Sequence, residues 1–71
     1  MTEFHIRNKV TDEEEFRKQL RLIKALFRDK LKMSVIEGPS EGTVVQRWFC
    51  EAIGSLWVVA DDYDELKELN L

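Results

Sequence analysis

Apolar and polar positions alternate at the start of the chain and then change to a helical spacing. Phe4, Ile6 and Val10 alternate with polar neighbours, which is typical of a half-buried strand, so we predict a strand over residues 3–10. From residue 12 onward, apolar positions recur every three or four residues, which predicts an amphipathic helix over residues 12–31. The apolar stripe of this helix contains Phe16, Leu20, Ile23, Phe27 and Leu31.

Capping signals support two helix starts. Thr11 and Glu14 have the spacing of a capping box, in which each side chain bonds the backbone amide of the other residue. Asp61 and Asp62 predict the start of a short last helix in the same way, with Glu65 three residues after Asp62. Acidic side chains in a first helical turn also suit the positive end of the helix dipole.

The chain between the two helices begins with a short apolar run, which predicts a second strand over residues 33–36. A loop over residues 37–42 follows, because glycine and proline interrupt regular structure there. Residues 56–60 are a strand under every interpretation of the sequence.

The segment 43–54 allows two interpretations. As a helix, it alternates apolar pairs with polar or small pairs in a four-residue rhythm, and Gly54 can end it. As strands, residues 43–51 and 56–60 form a hairpin, which the Thr, Val, Trp and Phe content favours. Strict alternation opposes the hairpin, because one strand face would mix Val45 and Phe49 with charged residues. We therefore prefer the helix.

These elements predict an α+β fold, a two-layer α/β sandwich. The sheet has three to four strands and is covered by the helix over residues 12–31. The preferred order is β-α-β-α-β-α, and the alternative order is β-α-β-β-β-α. The 71 residues form a single domain, 1–71, because a chain this short has no room for a second core.

The small size also limits how the fold is reinforced. The chain has one cysteine, Cys50, and one histidine, His5, which excludes an internal disulfide and the usual zinc ligand sets. We therefore expect no metal and no cofactor. Self-association is the remaining reinforcement for so thin a core, and we expect a homodimer.

The sequence shows no typical targeting signal. The first ten residues contain no apolar segment typical of a signal peptide, and the longest apolar run, Leu56–Ala60, is too short to cross a bilayer. We expect a cytoplasmic protein with no membrane association, since a single cysteine suits a reducing compartment.

Charge is distributed unevenly along the chain. The formal net charge is −3, but residues 1–32 sum to +3 and residues 33–71 sum to −6. Five basic residues of the first half recur at helical spacing and define what we call the basic stripe. They are Arg17, Arg21, Lys24, Arg28 and Lys32. Such a stripe is either a solvated helix face or a surface for an anionic partner, which includes the chain's own acidic C-terminal half.

The remaining conspicuous side chains do not form a catalytic set. Cys50 is the only conventional nucleophile and His5 the only conventional base, and no third group is placed to orient the histidine. We therefore predict that the protein is not an enzyme. Trp48 and Trp57 are candidate apolar anchors for a partner, because so small a chain rarely buries two tryptophans completely.

The pattern as a whole predicts a small non-catalytic interaction or regulatory module that binds and modulates a larger protein. Its partner-binding residues are the basic stripe together with Trp48 or Trp57. The alternative is a nucleic-acid-binding protein that uses the basic face of the helix over residues 12–31, although the acidic overall charge opposes this.

Overall fold

A computed structural model describes all 71 residues, and its five strands form one antiparallel sheet. The strand order across the sheet is β2-β1-β5-β4-β3, so β2 and β3 are the two edges. The strands are β1 (Glu3–Ile6), β2 (Lys9–Thr11), β3 (Lys32–Glu37), β4 (Val44–Cys50) and β5 (Gly54–Ala60). The helices are α1 (Glu13–Leu26) and α2 (Tyr63–Leu69), and a single 3-10 turn spans Arg28–Lys30.

Both helices pack on the same face of the sheet, which we call the helix face. Phe16 from α1 lies 5.2 Å from the ring of Phe4 on β1 and 5.9 Å from that of Trp48 on β4, measured between ring centroids. Leu66 from α2 joins the same buried cluster. Alternate residues of each strand point to the opposite face, which no helix covers and which we call the open face.

The expected α+β class is confirmed. The preferred order and the expected number of strands are wrong, whereas the alternative order β-α-β-β-β-α is correct from the first helix onward. The observed order is β-β-α-β-β-β-α, with five strands instead of three to four. The preferred helix over residues 43–54 does not form, and β4 and β5 pair there as a hairpin from Val44 opposite Ala60 to Cys50 opposite Gly54. The hairpin forms because β4 and β5 are the central strands, where β-branched and aromatic side chains pack well.

The predicted strand over residues 3–10 is two strands. Ile6 pairs with Lys9, so the chain reverses through Arg7 and Asn8. Arg7 adopts a positive φ of 57°, and its amide donates a hydrogen bond to the carbonyl of Ser55. Asparagine is a common turn residue, so Asn8 suits this position. The sequence pattern does not reveal the turn, because the alternation of Phe4, Ile6 and Val10 continues on both sides of it.

The helix predicted over residues 12–31 ends early. Phe27 leaves the helical conformation with a φ of −123°, and the 3-10 turn then leads the chain into β3. The capping residue is Asp12, which accepts a hydrogen bond from the amide of Glu15 at 2.7 Å; Thr11, the predicted cap, belongs to β2. Asp62 caps α2 in the predicted manner, at 2.8 Å from the amide of Glu65. Neither helix has the length and apolar character needed to cross a membrane.

Candidate functional site

The structure divides the basic stripe. Arg17, Arg21 and Lys24 lie on α1 and Arg28 on the 3-10 turn that follows, whereas Lys32 lies on β3 and belongs to the open face. Arg17 connects the two helices, since its Nε donates to Glu13 at 2.8 Å and its Nη2 to the carbonyl of Leu69 at 2.6 Å. The Lys24 ammonium lies 5.7 Å from the ring centroid of Trp48. The other three members of the stripe, Arg21, Arg28 and Lys32, are exposed.

The two tryptophans lie on opposite faces of the sheet. Trp48 points into the helix face and is 3% exposed, so it is a core residue and does not anchor a partner at the surface. Trp57 points to the open face and is half-buried. Of the two candidate anchors, Trp57 is therefore the one that a partner can reach.

A groove runs along β3 on the helix face, between the C-terminal ends of α1 and α2. It consists of two adjoining cavities, of about 460 and about 320 Å³, that share Gln46 and Leu71. Lys24 and Arg28 line the end beside α1, and Lys67 lines the end beside α2. The apolar lining residues are Leu31, Met33, Val35, Trp48, Leu66 and Leu71, together with the aromatic ring of Tyr63.

Strand β3 has no covering element on its outer edge. All six of its residues are exposed, and Met33 and Ile36 keep 55% and 53% of their surface accessible. An edge strand with exposed apolar side chains is a template for pairing with another strand. The sequence pattern predicts this strand but does not show that it lies at an edge, since strand order depends on long-range pairing.

The backbone of β3 offers hydrogen bonds along this edge. Gly38 donates its amide to the carbonyl of Thr43 at 2.9 Å, just beyond the β3–β4 ladder. Bonded and non-bonded pairs alternate along an antiparallel ladder, so the even-numbered residues of β3 bond to β4. The groups that point away from β4 are therefore the amides and carbonyls of Met33, Val35 and Glu37.

The basic side chains of the groove have no carboxylate partner within the molecule. The structure contains three ion pairs, which join Met1 to Asp61, His5 to Glu3, and Arg17 to Glu13. None of them joins the basic stripe to the acidic residues of α2. The one ion pair between the two halves of the chain joins the terminal amine of Met1 to Asp61. The amine donates a hydrogen bond to this carboxylate, which raises the pKa of the amine above its ordinary value.

The residues considered for chemistry lie apart. Cys50 is 2% exposed on the helix face, and His5 lies on the open face, where its Nε2 contacts Glu3 at 2.5 Å. The body of the sheet separates the two side chains. No group of three or more His, Cys, Asp or Glu side chains is placed to hold a metal ion.

Comparison with known proteins adds no relative: no protein-family model, curated protein or solved structure matches the chain.

Proposed function

We propose that this protein is a non-catalytic protein-binding module that binds an acidic, extended segment of a larger protein at the groove beside β3. The proposal rests on one observation: cations without a carboxylate partner lie next to an exposed apolar strand edge. Lys24, Arg28 and Lys67 surround a lining in which Met33 and Val35 remain accessible. Apolar contacts of this kind provide affinity, while charged rims provide orientation and partner choice.

Charge selects the chemistry of the partner. Each of the three cations lacks a carboxylate within 4.0 Å in the free protein, so an acidic partner gains new pairs without breaking old ones. Exposed pairs contribute about 0 to 1 kcal/mol each, so the apolar lining must supply the remainder of the affinity. Salt will therefore weaken binding without abolishing it.

Backbone geometry selects the conformation of the partner. An extended segment that pairs with β3 satisfies the outward amides and carbonyls of Met33, Val35 and Glu37. Its alternate side chains then point over the groove, next to the cations. Strand addition of this kind takes affinity from main-chain hydrogen bonds and specificity from alternate side chains.

A peptide of alternating glutamate and valine, blocked at both ends, tests this proposal. We expect it to bind the full chain at least about tenfold more tightly than the same peptide with lysine in place of glutamate, which corresponds to about 1.4 kcal/mol. Equal binding of the two peptides, or binding of neither, contradicts the proposal. Calorimetric titration at two salt concentrations measures both peptides.

Two substitutions on the same helix provide a matched pair. Lys24→Glu reverses a charge in the groove, whereas Lys18→Glu reverses an exposed charge outside it. We expect Lys24→Glu to weaken binding of the glutamate peptide several-fold and Lys18→Glu to leave it nearly unchanged. If both substitutions weaken binding equally, the peptide responds to net charge and not to the groove.

Nucleic-acid binding through the basic face of α1 is the competing candidate for the stripe. The acidic helix α2 packs on the same face of the sheet, and its carboxylates repel a polyanion that approaches the groove. A short acidic segment carries fewer negative charges than a nucleic acid, so the same carboxylates oppose its approach less. A duplex DNA that shifts at low salt and is released by Lys24→Glu would favour the competing candidate instead.

A further inference from the structure

The open face carries three rows of side chains that the strand register aligns across the sheet. The middle row runs from His5 on β1 through Trp57 on β5 to Arg47 on β4. The row beside it places Ser55 opposite Phe49, which in turn lies opposite Lys32 on β3. The third row contains Glu3, Val59, Val45 and Ile36.

Aromatic side chains are concentrated in the first two of these rows. The rings of His5 and Trp57 lie nearly parallel, with centroids 4.8 Å apart and an interplanar angle of 9°. Phe49 lies beneath the guanidinium of Arg47, whose Cζ is 4.9 Å from the ring centroid. An antiparallel sheet with one solvated face usually carries polar side chains there, so half-buried aromatic rings on this face indicate a binding surface.

The charge of the open face is positive. Arg47 donates from Nε and Nη2 to the hydroxyl of Ser55, at 3.2 and 2.9 Å, and has no carboxylate partner. Lys32 at the β3 end of the sheet has none either. Glu3 is the one acid in the three rows, and its carboxylate contacts His5. The carboxylates of α2 belong to the opposite layer of the molecule.

A cavity of about 660 Å³ adjoins this surface at the end of the sheet. Phe49 and Lys32 belong both to the open face and to the cavity lining, so the two features are continuous. Phe27 and Lys30 add a second aromatic ring and a second cation. The lining also includes Glu51, whose carboxylate repels an anion at that position.

We propose that the open face binds a single-stranded nucleic acid. Bases stack on the faces of Trp57 and Phe49 that His5 and Arg47 leave uncovered, and Arg47 and Lys32 contact the phosphates. Aromatic rings accept any base, and cations along the same track follow the backbone, so the surface binds with little sequence preference. Two neighbouring strands place the rings and cations side by side, as a flexible polyanion requires.

A second copy of the chain fits this face less well. Packing two open faces together brings a second unpaired Arg47 into the interface, and a buried charge without a partner is strongly unfavourable. The phosphates of a polynucleotide supply the missing negative charge. The surface therefore selects an anionic partner that also carries flat apolar groups.

Titration of the full chain with single-stranded oligonucleotides of about 12 nucleotides tests the proposal, since one such surface covers about 4 to 16 nucleotides. Oligo(dT) and oligo(U) are compared with a DNA duplex at low salt. Trp48→Phe leaves Trp57 as the one fluorescent tryptophan, and we expect both single strands to quench it and the duplex to bind more weakly. Absence of quenching at low salt overturns the proposal, as does tighter binding of the duplex.

Three substitutions localise the binding. We expect Arg47→Gln to weaken oligonucleotide binding about tenfold and Lys32→Gln to weaken it several-fold, each lowering the slope of log K against log salt by about 0.7. Lys18→Gln, exposed on α1 and outside the basic stripe, serves as the control and leaves binding unchanged. Circular dichroism checks that each variant is folded, and Lys32→Gln keeps the test valid if Arg47→Gln does not fold. An equal loss with Lys18→Gln overturns the assignment to the open face.

Discussion

Trp48 and Trp57 show how one residue type takes two roles on neighbouring strands. Trp48 lies on the helix face against Phe16 and is 3% exposed, whereas Trp57 stacks on His5 on the open face. Composition predicts that one of them remains accessible, but which one depends on the register of β4 against β5. A shift of one residue would place both tryptophans on the same face.

The two tryptophans should therefore differ in their effect on stability. We expect Trp48→Ala to lower the free energy of unfolding by about 3 to 5 kcal/mol, because it leaves a cavity in the core. Trp57→Ala should cost clearly less, since its side chain already contacts solvent. Urea denaturation of the two variants measures the difference, and equal losses would contradict the assignment of faces.

The terminal amine of Met1 gives the fold a pH dependence above neutral pH. The amine donates a hydrogen bond to the Asp61 carboxylate, which raises the pKa of the amine above 8.0, so the contact stabilises the charged amine. The contribution is fully present below the unfolded pKa and is lost as pH rises through the raised pKa. We expect stability to fall slightly over that range, and Asp61→Asn to remove the change. Thermal unfolding of both proteins across that pH range measures the effect.

At the scale of elements, most predictions that depend on local signals are confirmed, whereas the preferred strand order, which depends on long-range pairing, is not. The strands over residues 33–36 and 56–60 and the last helix all form, at slightly different boundaries. The segment 43–54 was misassigned because Arg47 interrupts the apolar pattern of β4. Its guanidinium lies over Phe49 and bonds to Ser55, a long-range arrangement that no local pattern predicts.

The sequence predicts the basic residues of the groove but not the groove itself. The basic wall follows from the helical spacing of Lys24 and Arg28, whereas the apolar lining depends on β3 lying at a sheet edge. Exposure of Met33 and Val35 could not be inferred from sequence, because an apolar run of this length is equally typical of a buried strand.

The cap of α2 is a further prediction at this scale. Asp62→Ala removes the acceptor for the amide of Glu65 and should lower the free energy of unfolding by about 1 kcal/mol. Asp64→Ala, an exposed acid inside the same helix, is the matched control and should have a smaller effect. A smaller loss with Asp62→Ala than with Asp64→Ala would exclude a capping role. Urea denaturation compares the two variants.

At the scale of the whole molecule, the sheet divides the protein into two surfaces of different chemistry. The helix face combines the acidic helix α2 with a cation-lined groove, and the open face combines cations with aromatic rings. The net charge of −3 therefore describes neither surface. Each surface has its own proposed partner, and we expect substitutions on one surface to leave binding at the other unchanged.

The homodimer remains a prediction, and the exposed edge of β3 is where a second copy can pair. We expect light scattering at high micromolar concentration to give a mass of twice 8.4 kDa. Val35→Pro should restore the monomer, because proline removes an outward amide of β3. A mass near 8.4 kDa for the unmodified chain contradicts the homodimer but leaves the peptide site intact.

Amide hydrogen exchange in the presence of the glutamate–valine peptide tests the central claim most directly. At a concentration low enough for the chain to be monomeric, the amides of Met33, Val35 and Glu37 point away from β4 and should exchange quickly without the peptide. We predict that the peptide slows exchange at these three positions, while Ser34 and Ile36, already bonded to β4, change little. Protection that appears elsewhere and spares these three amides would contradict a partner strand at the edge of β3.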